Sequence, residues 1–166
     1  MGTVKVLFSR RRLPGSLAIR LVTWSQWSHV EILDGDALIG ANMVGGVSIT
    51  PLLERLEASS LVAVVEFPCA DPAAVIAAAR SQLGKGYDYF GLLGILARQR
   101  NWQSTDDWFC SELVAWAFAE AGYPLFRVEL GSRIVPQHLW MLHAPYIQPA
   151  SPLALLDRLW PESLAG

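Results

Sequence analysis

A chain of 166 residues with a mean hydropathy of +0.31 has room for a single domain with a sizeable core. Hydrophobic residues make up 52% and charged residues only 17%, which argues against a long disordered tail. The net charge of −2 gives no basis for nucleic-acid binding, and the one basic run, Arg10-Arg11-Arg12, reads as solvated loop that an anionic surface could use.

The two cysteines, Cys69 and Cys110, allow at most one disulfide, and both are expected to be reduced. No metal-ligand spacing connects His29, His138, His143 and the cysteines, so neither a metal nor a cofactor is expected. The N-terminus lacks the long apolar core of a signal peptide. No apolar run is long enough to span a bilayer, and Phe90 to Ala97, interrupted by Gly91 and Gly94, is too short. The expectation is a cytoplasmic protein, with a phage-encoded or separately exported one left open.

In chain order, Val4 to Phe8 is a β-type run ended by Leu13-Pro14-Gly15. Ser16 to Val22 has the spacing of a helix with Leu17, Ile19 and Leu21-Val22 partly buried. Trp24 and Trp27, in the hydroxyl-rich approach to His29, suit either core packing or the lining of a substrate groove. His29-Val30-Glu31-Ile32-Leu33 alternates polar and apolar residues as a half-buried strand does. Asp34-Gly35 is a hairpin signal, and Asp36 to Met43 is the returning strand. A two-residue turn centred on Asp34-Gly35 sets Leu33 against Asp36 and Gly40 against His29. It leaves Asn42 diagonal to His29, with Glu31 on the same face.

Gly45-Gly46 breaks the pattern before a strand at Val47 to Thr50 and a short helix from Pro51 through Leu56. Leu61 to Phe67, dense in valine, reads as a central strand. A helix follows from Ala73 to Leu83, with Asp71 as N-cap and Gly84 as stop; Cys69 lies in the turn before it and reads as structural. Gly84-Lys85-Gly86-Tyr87-Asp88 is a glycine-rich turn without the ending of a phosphate loop. Tyr89 to Arg100 is predicted as a helix, and the loop Asn101 to Asp107 delivers the chain to Cys110.

Leu113, Trp116 and Ala117 recur at helical spacing after Cys110, with Gly122 and Pro124 as the stop. Cys110 therefore falls in the first turn of a buried helix, or just before it. Free N–H groups and the positive end of the helix dipole favour thiolate there and can stabilise an oxyanion on a substrate carbonyl. The commoner fate of such a cysteine is to be a small packed residue. A nucleophile needs a base, and His29 is the best candidate; His138 is read as capping or packing against a short helix at Pro136 to Leu142, and His143 as a loop residue. The tail from Pro145, with Pro149, Pro152 and Pro161 among Leu153, Leu155, Leu156, Leu159 and Trp160, reads as a helix docked on the body or on a partner. There is no internal repeat and no domain boundary, so residues 1–166 are taken as one domain.

Four segments occur in a telling order: Ser28-His29-Val30-Glu31-Ile32, Gly46-Val47, the turn through Tyr87-Asp88, and Phe109-Cys110-Ser111-Glu112-Leu113-Val114. With Ile134-Val135-Pro136-Gln137-His138-Leu139 after them, the chain resembles the circularly permuted branch of the NlpC-type papain-like hydrolases, the YiiX-like group, from about His29 to Leu139. The resemblance implies an α+β fold in which a helix bearing the cysteine packs on an antiparallel sheet bearing the histidine. It implies Cys110 as nucleophile, His29 as general base and Tyr87 as an oxyanion-binding hydroxyl. The family's acidic or amide side chain on the strand after the histidine matches Gly40 here, which cannot orient an imidazole. Asn42 is the nearest polar substitute, with Glu31, water or a backbone carbonyl as alternatives.

The expected function is a cysteine-dependent hydrolase or acyltransferase acting on amide or ester bonds, with a peptide, peptidoglycan fragment or lipid-acyl substrate as partner. Seven tryptophans and the apolar composition lean towards an acyl group. The alternative is a papain-like binding module that has lost its turnover, motivated by Gly40. A role for the tail in self-association or membrane contact is a weaker third.

Overall fold

A computed structural model describes residues 2–12, 14–87, 107–127, 134–142 and 144–159. The expected helix at Tyr89 to Arg100, most of the loop before Cys110, His143 and Trp160 lie outside the described residues.

The chain opens with β1 (Gly2–Arg11), longer than the apolar run alone indicated, and α1 (Pro14–Thr23). Then come β2 (His29–Asp34), β3 (Ala37–Asn42), β4 (Gly46–Pro51), α2 (Leu52–Glu57), β5 (Ser59–Cys69) and α3 (Pro72–Ser81). The remainder comprises β6 (Gly86–Tyr87), β7 (Asp107–Trp108), α4 (Cys110–Glu120), α5 (Pro136–Trp140), β8 (Tyr146–Ala150) and α6 (Pro152–Leu159). Among the described residues six strands form one sheet in the order β4-β3-β2-β1-β5-β8, every neighbouring pair antiparallel, while β6 and β7 form a separate parallel pair. This mixed architecture agrees with the expectation of helices packed on an antiparallel sheet.

Strand alternation sorts the core into two layers. Val4, Val6 and Phe8 of β1, with Val30, Ile32, Ile39, Ala63, Val65 and Phe67, meet Val75 and Ala79 of α3 and Leu113, Val114, Ala117 and Phe118 of α4. Leu7, Leu38, Val62 and Val64 turn to the opposite face, against Leu52 and Leu56 of α2 and Leu155 of α6. The valine-rich strand β5 is an inner strand, flanked by β1 and β8. Asp71 caps α3 by accepting from the Ala74 N–H at 3.0 Å.

The hairpin register differs from the sequence expectation. Asp34 pairs with Ala37, Leu33 with Leu38 and Ile32 with Ile39, so the turn residues are Gly35-Asp36. An Asp34-Gly35 turn of the common type needs two left-handed residues; only Gly35, at φ +65°, adopts that region, and it takes the first central position, which a type II′ hairpin reserves for glycine. Each cross-strand partner moves by two residues, which preserves faces but sets Gly40 against Glu31 instead of His29.

Two further differences concern the ends of the chain. Leu17 and Leu21 are 52% and 67% exposed, because α1 turns its Ser16 and Ile19 side to the body. The tail contributes a strand as well as a helix: β8 pairs Tyr146 with Val65 and Ala150 with Val62. Pro149 is tolerated there because β8 is an edge strand.

Candidate active site

Cys110 is the first residue of α4, with Phe109 as an extended N-cap that supplies no side-chain cap. The N–H groups of Glu112 and Leu113 both return to the Phe109 carbonyl, at 3.1 and 3.0 Å. The N–H groups of Cys110 and Ser111 have no acceptor within the helix and point outward from its positive end. The helix is fixed in depth by its apolar stripe and by Ser111, whose hydroxyl donates to the Ile134 carbonyl. Cys110 itself is 1% exposed.

His29 opens β2 opposite Ser9 of β1. The serines before it hold its approach: Ser25 Oγ accepts from the Trp27 N–H at 3.0 Å, and Ser28 Oγ accepts from the Arg11 N–H at 3.1 Å. Trp27 is wholly buried against Phe8 and Trp140, with ring centroids 5.9 and 4.9 Å away, whereas Trp24 is 91% exposed at φ +51°. Of the two roles open to these tryptophans, Trp27 takes core packing.

The His29 imidazole contacts the side chains of both Cys110 and Glu31. Its Nε2 lies 3.3 Å from Glu31 Oε1, inside ion-pair range but outside hydrogen-bond alignment, so the contact is chiefly electrostatic. Burial alone would push the imidazole pKa down, but the charges of Glu31 and Cys110 outweigh it and raise it to about 9. His29 is therefore protonated at neutral pH.

Glu31 is fully buried. Burial pushes its carboxyl up, while His29 and the Arg55 guanidinium pull harder and hold it at about 2. Arg55, from α2, grips both of its oxygens: Nε donates to Oε2 at 2.6 Å and Nη2 to Oε1 at 2.7 Å. The same Nη2 donates to Asn42 Oδ1 at 2.7 Å, and Asn42 Nδ2 donates to Ser48 Oγ at 3.0 Å. Asn42 is thus linked to the histidine only through Arg55 and Glu31, and Glu31 is the polar side chain that faces the ring. The emptiness at Gly40 has a direct cause. A Cβ there would sit 2.5 Å from Glu31 Cγ, so the Glu31 side chain fills the space that a larger residue on β3 would need.

The β6–β7 pair sets Tyr87 against Trp108, and its ring packs on Phe109, the residue before Cys110, with centroids 6.1 Å apart. The glycine-rich turn before it docks on β4: the Val47 N–H donates to the Lys85 carbonyl at 2.8 Å and the Gly84 N–H to the Val47 carbonyl at 2.9 Å. His138 caps its own helix, its Nδ1 accepting from the Val135 N–H at 3.2 Å. Cys69 is buried at the end of β5, and burial, followed by Asp71, pushes its thiol up.

Arg55 is the residue that sequence reasoning passed over. Leu52, Arg55 and Leu56 form the buried stripe of α2 at i, i+3 and i+4. A charged residue on that stripe was the available signal, because a buried arginine requires a buried partner.

No protein-family model matches the sequence. The chain is 28% identical to a protein of Escherichia coli (strain K12) named "Probable lipoprotein peptidase YaeF", across 76% of this chain and 58% of that protein. It spans a little under three fifths of that relative's length. Its fold is similar to the crystal structure of a protein described as the metalloprotein yiiX from Escherichia coli O157:H7, with a TM-score of 0.67 and 22% identity over 90% of this chain and 97% of the other. That likeness establishes a YiiX-like fold. Among the described residues no helix is long and apolar enough to cross a membrane.

Proposed function

We propose that this chain is a cysteine hydrolase of the permuted papain-like kind, with Cys110 as nucleophile, His29 as acid and base, and Glu31 as the group that faces the histidine. The observation that carries this reading is a buried histidine, ion-paired with Glu31, beside a cysteine at the head of a buried helix. In the reaction the Cys110 sulfur attacks the substrate carbonyl carbon. The C–S bond forms as the carbonyl π electrons move onto oxygen. The N–H groups at the start of α4 stabilise that oxyanion, with Tyr87 as the nearby hydroxyl. His29 gives its proton to the leaving nitrogen or oxygen as that bond breaks. Neutral His29 then takes a proton from water, whose oxygen attacks the acyl carbon; as the C–S bond breaks the sulfur leaves as thiolate beside the reprotonated His29, which restores the starting pair.

The name of the 28%-identical relative favours a peptide amide over an acyl ester, and peptidoglycan fragments are the first substrates to try. The metal named for the yiiX protein does not fit Glu31 here, since a guanidinium already occupies both of its oxygens. Among the described residues no group of three or more His, Cys, Asp or Glu side chains could hold a metal ion.

A thiol-directed acyl probe tests the assignment. Wild type should be labelled, Cys110→Ala should not, and His29→Ala should be labelled slowly. Undiminished labelling of Cys110→Ala refutes it. The burial of Cys110 and His29, 1% and 6% exposed, is what favours a second reading, a closed groove that binds without turnover. Turnover of any peptide or ester abolished by Cys110→Ala removes that reading.

A further inference from the structure

We infer that Arg55 is a positioning residue of the thiol site, acting through Glu31: its fork pins the carboxylate over Gly40 and against the His29 ring. The inference rests on the thiol reading proposed above and assigns Arg55 no contact with substrate.

Four side chains make the case. Arg55, Glu31, His29 and Cys110 are 3%, 0%, 6% and 1% exposed, and they touch in that order. With the sulfur in its nucleophilic thiolate form, guanidinium, carboxylate, imidazolium and sulfur alternate in charge and sum to zero. Alternation of this kind is how several charges can share a buried volume, since each offsets the desolvation of the next. Without Arg55 the set carries a net negative charge, which disfavours the thiolate. With a cation that lacks the fork, the carboxylate is no longer fixed in direction, because a planar two-donor grip defines both oxygens and a single ammonium does not.

Three supports hold the guanidinium itself: Glu31, Asn42 at 2.7 Å and Thr50 Oγ1 at 3.3 Å. Among the described residues, Arg11 on β1 is a further charged group beside Arg55 and Glu31, and Glu54 on α2 acts on it in turn. Arg11 has its pKa lowered by burial and by Arg55, and raised by Glu31 and Glu54. Gly40 supplies the remaining piece. Position 40 on β3 carries no side chain, and the space there is taken by a glutamate that starts from the histidine's own strand and needs an external clamp to hold its direction.

The test reads alkylation of Cys110 by iodoacetamide across pH, followed by mass spectrometry, which needs no substrate. Arg55→Gln should slow alkylation at neutral pH about tenfold, the change of one pH unit in thiolate formation. Arg55→Lys keeps the charge and the fold but loses the fork. It should fall between Arg55→Gln and wild type, and it decides the question if Arg55→Gln is unfolded. In a Glu31→Gln background the Arg55→Lys effect should shrink to within about twofold, because the route through Glu31 is gone. Arg55→Lys with a wild-type pH profile, or with an equal effect in both backgrounds, overturns the inference. His29→Ala separates the two levels. If it leaves alkylation unchanged, the thiol reading itself fails. If it slows alkylation while Arg55→Lys does not, only the role of Arg55 fails.

Discussion

Gly40→Ala is the smallest change that tests whether Glu31 owns the space beside the histidine. The glycine is not in the left-handed region, so an alanine meets no torsional obstacle. Its Cβ would instead lie 2.5 Å from Glu31 Cγ, 2.9 Å from Oε1 and 3.2 Å from Cδ. Carbon atoms pack at about 3.5–4.0 Å, so the overlap with Cγ is on the order of 1 Å. Glu31 has two ways to relieve it. Swinging away breaks the Arg55 grip and leaves buried charges unpaired, at about 3–5 kcal/mol. Pushing β3 outward costs about 1–3 kcal/mol, as for other overpacked cores. The cheaper route wins, so Gly40→Ala should destabilise by about 1–3 kcal/mol. At roughly 2–4 °C per kcal/mol for a domain of this size, Tm should fall by several degrees. Urea denaturation of the two single variants and of Gly40→Ala/Glu31→Ala measures the coupling. The cost of the alanine should largely vanish once Glu31 is truncated. A neutral Gly40→Ala, or costs that simply add, would refute the steric argument.

Stability should depend on pH through the buried pair. Glu31, held at about 2 against an ordinary value of 4.5, contributes fully above 4.5 and loses its contribution as pH falls through 2; His29, raised to about 9 from 6.5, contributes fully below 6.5 and loses it as pH rises through 9. Urea midpoints in Glu31→Gln should lose the acid limb and show a smaller alkaline limb, the remainder coming from Cys110; an undiminished alkaline limb would mean that Glu31 does not stabilise the imidazolium. Gly46→Ala should cost more than about 2 kcal/mol, because φ is +63° and the new Cβ would lie 2.0 Å from the Lys85 carbonyl oxygen. Its signature is lost hydrogen-exchange protection at the Val47 N–H, and unchanged protection there would contradict the docking of the turn on β4. Asp71→Ala removes the cap of α3 and should cost about 1 kcal/mol by thermal melting, with no effect on Cys110 alkylation.

The parts of this structure that could be read from sequence are those governed by local rules. The cap at Asp71, the break at Gly46 and the cysteine at a helix start each depend on a few adjacent residues. The hairpin shows where locality ends. Asp34-Gly35 and Gly35-Asp36 are both acceptable turns, and the choice between them depends on which register packs β2 against β1 and β3. That choice moved Gly40 from a vacancy beside His29 to a space filled by Glu31. A similar limit applies to the third residue of the site. The sequence makes Asn42 the nearest polar substitute for the third residue, with Glu31 as an alternative, and only the position of α2 reveals that Arg55 reaches both. It takes the Asn42 oxygen and holds the Glu31 carboxylate against the ring. The clue was present in the stripe Leu52, Arg55, Leu56, where a charge occupies a buried helical position. Charges on buried stripes are costly, so such a residue signals a partner that local periodicity cannot name. Here the partner lies 24 residues upstream, on the strand that carries the histidine.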